Sequence, residues 1–135
     1  MRCRITVPLL AVVLLSAAAC KNKEVNVGKN DSAIELLDSI HDFGTWRGDT
    51  IIQRCSFRLR NTGTEPLVIH DVRTGCGCTT SEFDHEPILP GKITTIKVSY
   101  NGRGKITGTF VNTLDVYSNA KSGMARLTIK GNMEK

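Results

Sequence analysis

A two-residue alternation between Thr50 and Arg60 is the feature that most limits how this chain can fold. One face of this stretch carries the apolar side chains of Ile51, Cys55, Phe57 and Leu59, with Gln53 as the one polar residue among them, and the other face carries Arg54, Ser56, Arg58 and Arg60. Successive side chains of a β-strand point to opposite faces, so the pattern predicts a strand with one face in a core and the other in water. Such a strand belongs to a sheet that is packed on one side.

Similar short segments occupy most of the sequence after this strand. They are joined by links rich in glycine, proline and asparagine, which are typical of turns. The predicted strands are Pro66–Val72, Thr79–Phe83, Ile93–Tyr100, Gly108–Ser118 and Met124–Lys130. Six or seven short strands without a helical period predict an all-β fold, an antiparallel β-sandwich.

Two segments before the first clear strand have weaker patterns. Ala33–Ile40 is largely apolar and is ambiguous between a helical turn and a strand. His41–Asp49 contains two glycines and two aromatic residues, and we interpret it as a turn-rich link. His41 and Asp42 are adjacent, but neighbours on an extended chain point to opposite faces, so the pair does not predict a catalytic dyad.

The predicted core takes one face from each of the longer strands. Apolar residues make up 40% of the chain, which is enough for one packed domain of this length. The residues that we expect to be buried are Phe57, Leu59, Val68, Ile96, Val98, Leu114, Val116, Leu127 and Ile129.

The first 20 residues have the composition of an export signal. Arg2 and Arg4 precede an apolar run from Ile5 to Leu15, and small residues then lead directly to Cys20. This order predicts a signal peptide over residues 1–19. A cysteine directly after small residues resembles the bacterial lipobox, so we expect Cys20 to be the mature N-terminus and to carry lipid. The alternative is an ordinary signal peptide cut after Ala-x-Ala, which leaves Cys20 as a free thiol.

Lipid on Cys20 would hold the protein on a membrane without a spanning helix. We therefore expect an exported protein that is anchored in the cell envelope and faces the periplasm or the cell exterior. Residues 20–32 are predicted to be the lipidated cysteine and a flexible tether, because they are mostly polar and charged. Residues 33–135 are predicted to form the single folded domain.

The charge of the chain argues against a nucleic-acid partner. The formal net charge is +5, but loss of Arg2 and Arg4 with the signal peptide reduces the 18 basic residues to 16, against 13 acidic ones. The remaining basic residues are scattered and do not alternate with aromatic residues. The sequence therefore predicts no nucleic-acid-binding surface.

Several short motifs occur in a characteristic order. They are His41-Asp42-Phe43-Gly44, Phe57 with Asn61-x-Gly63, Pro66-Leu67-x-Ile69, Cys76-Gly77-Cys78-Thr79 and Pro87-Ile88-x-Pro90-Gly91. In this combination, over residues 38–131, the chain resembles a bacterial family catalogued as domain of unknown function 1573, which is common among Bacteroidetes lipoproteins. The resemblance implies an exported protein with an immunoglobulin-like sandwich of about seven strands, related to the major sperm protein and to centrosomal domains. It implies no activity.

Two cysteines separated by a single residue form the most unusual motif in the sequence. Cys76 and Cys78 are interpreted first as structural thiols or a disulfide, which an oxidising compartment favours. They could instead be a redox pair, because a disulfide that encloses only Gly77 forms a small and labile ring. A third interpretation is a metal site shared with His70 and His85, although this spacing matches no standard zinc pattern. We expect the structural or disulfide role, with no cofactor bound.

The sequence contains no other motif that predicts catalysis. It has no Gly-x-Ser-x-Gly, phosphate-binding loop or paired-carboxylate pattern. Cys55 lies on the apolar face of its strand and is predicted to be a buried, inert thiol. The function predicted is a non-enzymatic binding or structural module with an unknown protein or envelope partner. The alternative is a thiol-redox or metal-handling envelope protein, for copper or zinc, that uses the loop of Cys76 and Cys78.

Overall fold

Every regular element in the described part of the chain is a β-strand. The computed structural model describes residues 31–47, 52–105 and 107–134, so the predicted signal peptide and Cys20 lie outside the described residues. The strands are β1 (Ile34–Leu36), β2 (Ile40–Arg47), β3 (Ile52–Asn61), β4 (Ile69–Thr74), β5 (Thr79–Glu82), β6 (Ile93–Asn101), β7 (Gly108–Ser118) and β8 (Met124–Glu134). Over these same ranges, no helix has the length and apolar character needed to cross a bilayer.

The strands form two sheets of four that pack face to face. The first sheet has the order β1-β3-β6-β5 and the second has the order β2-β8-β7-β4. The pairings are antiparallel except for β2 with β8, which is parallel. The first sheet matches the ABED sheet of immunoglobulin-like domains, and the second matches the CFG sheet with β2 added beside its last strand. The predicted immunoglobulin-like β-sandwich is confirmed, with eight strands in the described residues where about seven were expected.

Strand β2 corrects the interpretation of His41–Asp49 as a turn-rich link. Residues 40–47 pair with β8, and the register shifts between Asp42 and Thr45, on either side of Gly44. A shift of this kind interrupts the two-residue period, which is why the strand is not visible as a pattern. The ambiguous segment Ala33–Ile40 contributes the short strand β1.

The core lies between the sheets and matches the predicted set at every position except Val68. Val68 is half-buried, whereas its neighbours Leu67 and Ile69 are buried. The Val68 N–H donates to the Asn119 side-chain oxygen at 2.8 Å, and the Asn119 N–H donates to the Val68 carbonyl at 3.1 Å. The predicted phase of this segment is therefore wrong by one residue, which exchanges the inner and outer faces.

An aromatic cluster closes one end of the core. Trp46 of β2 meets Phe110 of β7 edge to face, with ring centroids 5.6 Å apart, and Phe110 stacks on Tyr100 of β6 at 4.1 Å. Gly131 leaves room for this cluster, because a Cβ atom there would lie 2.6 Å from the Trp46 ring. We call this the cysteine end of the sandwich, since residues 75–78 lie beside it.

The opposite end receives the chain from its N-terminal side, and we call it the entry end. The Ser32 side chain is buried, and its hydroxyl donates to the Asn119 carbonyl at 2.8 Å. The Lys121 N–H donates to the Ser32 carbonyl at 3.0 Å. Gly63 packs so closely here that a Cβ atom would overlap the Asp31 carbonyl. The chain therefore enters the sandwich at a fixed point.

Candidate functional site

The cysteine loop connects β4 to β5 and contains a disulfide. Cys76 and Cys78 are bonded through their sulfurs, with Cα atoms 5.2 Å apart. The Thr74 hydroxyl donates to the Cys76 carbonyl at 3.1 Å, and the Thr79 N–H donates to the same carbonyl at 3.1 Å. The loop thus closes on itself through its own backbone as well as through sulfur.

The loop is also bound to both sheets. The Gly75 N–H donates to the Thr113 carbonyl of β7 at 3.2 Å. The Asn101 N–H of β6 donates to the Cys78 carbonyl at 2.7 Å. Together with the two bonds to the Cys76 carbonyl, these contacts hold the loop in place without any contribution from the sulfur atoms.

Each sulfur atom lies beside a hydrogen-bond donor. The Cys78 N–H donates to the Cys76 sulfur at 3.1 Å. The Asn112 side-chain amide donates to the Cys78 sulfur at 3.5 Å, and the Thr79 hydroxyl lies 3.9 Å from that sulfur. Donors of this kind stabilise negative charge on sulfur.

A shallow depression of about 250 Å³ lies beside the disulfide. Its lining residues are Gly77, Cys78, Asn101, Arg103 and Lys105. Arg103 and Lys105 are exposed, and neither forms an ion pair with another described residue. The depression is therefore electropositive and borders the Cys78 side of the disulfide.

The structure does not bring together the residues of the alternative metal site. Within residues 31–47, 52–105 and 107–134, no cluster of three or more His, Cys, Asp or Glu side chains could hold a metal ion. His70 and His85 are exposed, and the His85 ring lies against Phe83 with centroids 4.6 Å apart. Most of β4 separates His70 from Cys76, and β5 separates Cys78 from His85, so extended chain keeps both histidines away from the cysteine loop.

The adjacent residues His41 and Asp42 do not form a dyad. The Asp42 side chain is exposed, accepts the Gly44 N–H at 2.8 Å and pairs with Lys130 at 3.3 Å. His41 instead lies against Phe43, with ring centroids 4.7 Å apart. The two side chains point to different faces of β2, as expected for neighbours on a strand.

Cys55 has a free thiol on the inner face of β3. The residue is half-buried, and burial raises the pKa of its thiol to about 11. A thiol with so high a pKa carries little thiolate at neutral pH, which is the reactive form. The residue is not fully buried because β3 is open on this side.

The outer edge of β3 is unpaired over about half of its length. Strand β1 pairs with β3 only at residues 59–61, and the Leu37 N–H adds one bond to the Arg58 carbonyl. No described strand pairs with this edge at residues 52–57. Because the Arg58 carbonyl points outward, every second residue before it also directs its N–H and C=O outward. These residues are Ile52, Arg54 and Ser56.

A polar groove of about 350 Å³ crosses the outer face of the same sheet, next to the open edge. Arg54 of β3, Lys97 of β6 and Glu82 of β5 line it. Arg54 and Lys97 form no ion pair with a described residue, whereas Arg58 is bound to Asp38 at 2.7 Å. The groove therefore contains two cations and one carboxylate, which belongs to Glu82, the residue opposite Lys97 in the pairing of β5 with β6.

Sequence reasoning missed both the open edge and the electropositive depression. In the sequence Arg54 is one of several arginines on the solvent-facing side of its strand, and Arg103 lies in a glycine-rich turn, so neither residue stands out. The open edge arises because β1 has three residues and β3 has ten. The shortness of the apolar stretch before β2 is the one signal that could have indicated it.

The fold and these sites define the chain as an immunoglobulin-like β-sandwich domain with an open sheet edge and a disulfide loop. The chain belongs to the family described as "Protein of unknown function (DUF1573)", whose family model matches residues 34–133. This confirms the resemblance drawn from the sequence motifs. No curated protein matches the sequence.

Three solved structures illustrate the fold. A protein of unknown function from Porphyromonas gingivalis W83 is 19% identical, with a TM-score of 0.68 over 81% of this chain and 51% of that one. PapD-like domain 7 of human CEP192 is 13% identical, with a TM-score of 0.61 over 95% and 99% of the two chains. The periplasmic chaperone SfaE is 7% identical, with a TM-score of 0.54 over 76% and 59%. The chain spans about half the length of the Porphyromonas protein, and these similarities define the fold alone.

Proposed function

We propose that the protein is an exported, lipid-anchored, non-enzymatic binding module of the cell envelope. Export and anchoring are supported by the basic start, the apolar run and the small residues that lead directly to Cys20. Asp31 and Ser32 are bound to the domain, so the proposed tether has about ten residues and spans roughly 17 Å as a flexible coil. The domain would then stand clear of the lipid headgroups and face the periplasm or the cell exterior.

The open edge of β3 carries the proposed binding function. At Ile52, Arg54 and Ser56 the strand presents outward N–H and C=O groups that no described strand uses. An extended segment of a partner protein can pair with such groups and extend the sheet by one strand. Backbone hydrogen bonds would supply affinity, and the side chains along the edge would supply specificity.

The side chains along the edge define the chemistry of the partner segment. On the outer face Arg54, which lies on the edge strand and forms no ion pair with a described residue, favours a carboxylate. On the inner face the half-buried Cys55 marks an open flank of the core, which favours apolar side chains. Successive residues of an added strand point to opposite faces, so the partner segment alternates acidic and apolar residues.

The similarity to SfaE supports this proposal at the level of the fold. SfaE is described as a periplasmic chaperone, and it shares the sandwich architecture with this chain. A sandwich used by a chaperone in the periplasm is consistent with a protein-binding role for this domain in the cell envelope.

The first experiment measures binding of a short fluorescent peptide of alternating glutamate and valine to the full chain by fluorescence anisotropy. Arg54→Glu should weaken binding about five- to tenfold, because an attraction becomes a repulsion. Lys92→Glu makes the same charge change at an exposed residue of the entry end and should have little effect. Equal weakening by both substitutions would show that net charge alone attracts the peptide.

A second pair of peptides tests the backbone pairing. One peptide carries N-methyl groups on one alternate set of residues, and the other carries them on the remaining set. Only the set whose N–H groups face β3 contributes to the ladder, so one methylated peptide should lose binding and the other should retain it. If both peptides bind as well as the unmodified one, strand addition is wrong.

The lipid anchor is tested by fractionation of cells. Cys20→Ala should move the protein from the membrane fraction to the soluble fraction, because the site of acylation is removed. Cys55→Ala serves as the matched control and should leave the protein with the membrane. Retention of the Cys20→Ala variant in the membrane fraction would contradict the anchor.

A further inference from the structure

The Cys76–Cys78 disulfide contributes little to holding the loop that contains it. The two cysteines are separated by a single residue, and a cross-link over so short a loop removes little entropy from the unfolded chain. The loop is also fixed by hydrogen bonds from the Thr74 hydroxyl and from the Gly75, Thr79 and Asn101 N–H groups. The sulfur–sulfur bond can therefore open while the loop keeps its place.

The surroundings of the disulfide suit the thiolates that form when it opens. The Cys78 N–H lies 3.1 Å from the Cys76 sulfur, and the Asn112 amide lies 3.5 Å from the Cys78 sulfur. Arg103 and Lys105 line the depression that borders Cys78. Hydrogen-bond donors and nearby cations favour thiolate over thiol, and reactive cysteines occur in electropositive, partly exposed sites of this kind.

We propose that the Cys76–Cys78 disulfide is a thiol-exchange site that accepts two electrons from a dithiol of a partner protein. A thiolate of the partner attacks the Cys78 sulfur from the depression, and the disulfide electron pair leaves on Cys76, which the Cys78 N–H already contacts. The second thiolate of the partner then attacks the mixed disulfide, forms the partner's own disulfide and releases Cys78 as a thiolate beside Asn112. Overall, the partner dithiol loses two electrons and two protons and becomes a disulfide. The Cys76–Cys78 disulfide gains those electrons and protons and becomes two thiols. This activity goes beyond binding at the β3 edge and does not depend on it.

The deciding experiment equilibrates the full chain in detergent with reduced and oxidised glutathione at neutral pH. Free thiols are then alkylated and counted by intact mass, while circular dichroism follows the fold. Cys76 and Cys78 should be reduced together with the spectrum and melting temperature nearly unchanged. Resistance of the disulfide to glutathione in the folded chain, as is typical of structural disulfides, would overturn the proposal. Unfolding on reduction would overturn it as well.

Two single substitutions, each of which removes one cysteine of the loop, identify the attacked sulfur. Cys76→Ser leaves the Cys78 thiol beside the depression, and it should form a mixed disulfide with oxidised glutathione faster than Cys76 does in Cys78→Ser. Cys55 is an internal reference in both variants, and it should react slowest because burial raises the pKa of its thiol. Faster reaction of Cys76 than of Cys78, or of Cys55 than of either, would overturn the assignment.

Two double variants test the electropositive depression. Arg103→Gln with Lys105→Gln should slow the reaction of reduced Cys78 about threefold, because the thiolate fraction falls while the remaining thiolate becomes more nucleophilic. Lys92→Gln with Lys121→Gln makes the same charge change at exposed residues of the entry end and should leave the rate unchanged. Equal rates in the two double variants would refute the role of the depression.

Discussion

Asn61 is a fully buried polar residue whose side chain holds the turns of the entry end. Its amide donates to the Glu65 and Ile88 carbonyls, both at 2.8 Å. Its side-chain oxygen accepts the Gly63 N–H at 2.9 Å. Asn61→Ala removes all three hydrogen bonds in one substitution, and we expect it to destabilise the domain strongly.

The size of this effect depends on whether each group that loses its hydrogen bond to Asn61 has another hydrogen-bond partner. The Ile88 carbonyl keeps a second bond, from the Leu67 N–H at 2.9 Å, and Glu65 is exposed, so water can reach its carbonyl. Only the half-buried Gly63 N–H is left without an obvious replacement. We therefore count about 1 kcal/mol for each bond, or about 3 kcal/mol in all, and not the full desolvation penalty of three groups. For a domain of this size that lowers the melting temperature by roughly 12–24 °C.

The assay is thermal and urea unfolding of the full chain, followed by circular dichroism. Asn101→Ala is the matched control, because the Asn101 side-chain oxygen accepts the Arg103 N–H at 3.0 Å in the same local arrangement but on an exposed residue. The control should cost less than about 1 kcal/mol. If the two substitutions lower stability equally, burial of the Asn61 amide does not stabilise the entry end and the reasoning is refuted.

Three further predictions concern the core and the surface. Phe57→Ala should cost about 3–5 kcal/mol in urea unfolding, because Phe57 is fully buried; a near-normal midpoint would contradict the register of β3. Gly131→Ala should cost about 1–3 kcal/mol by overpacking. It should also shift the fluorescence of Trp46, the single tryptophan, whereas an unchanged spectrum would show that no contact forms. The hydrogen bond from Arg126 lowers the pKa of Asp115 below its ordinary value of 3.8, so this carboxylate stabilises the fold above that pH and the stabilisation is lost as the pH falls through the lowered pKa. The urea midpoint of Asp115→Asn should therefore fall less steeply below about pH 4 than that of the unsubstituted protein. An equally steep fall in both proteins would contradict this.

Local patterns predicted the strands whose phase is set by their own residues. The sequence predicts strand β3 because charged and apolar side chains alternate along it. Leu67, Val68 and Ile69 are all apolar, so their sequence does not show which of them faces the core. The hydrogen bonds between Val68 and Asn119 decide this. Contacts between residues far apart in the sequence therefore determine what the pattern leaves open.

The candidate site shows the same division. Cys76 and Cys78 are conspicuous as neighbours, but Asn112 and Arg103 reach them only through the pairing of β5 with β6 and the packing of the two sheets. The alternative metal site with His70 groups residues by their separation along the chain, whereas the extended geometry of β4 keeps that histidine away from the cysteine loop.

The fixed entry of the chain at Ser32 gives the domain a direction. Ser32 is tied to the entry end, and the cysteine loop lies at the other end of β3, whose ten residues extend roughly 30 Å. A lipid on Cys20 would hold the entry end toward the bilayer and make the cysteine loop the outermost tip. The disulfide would then meet molecules that arrive from the aqueous side, while the edge of β3, which runs along the flank, would meet neighbours anchored in the same membrane.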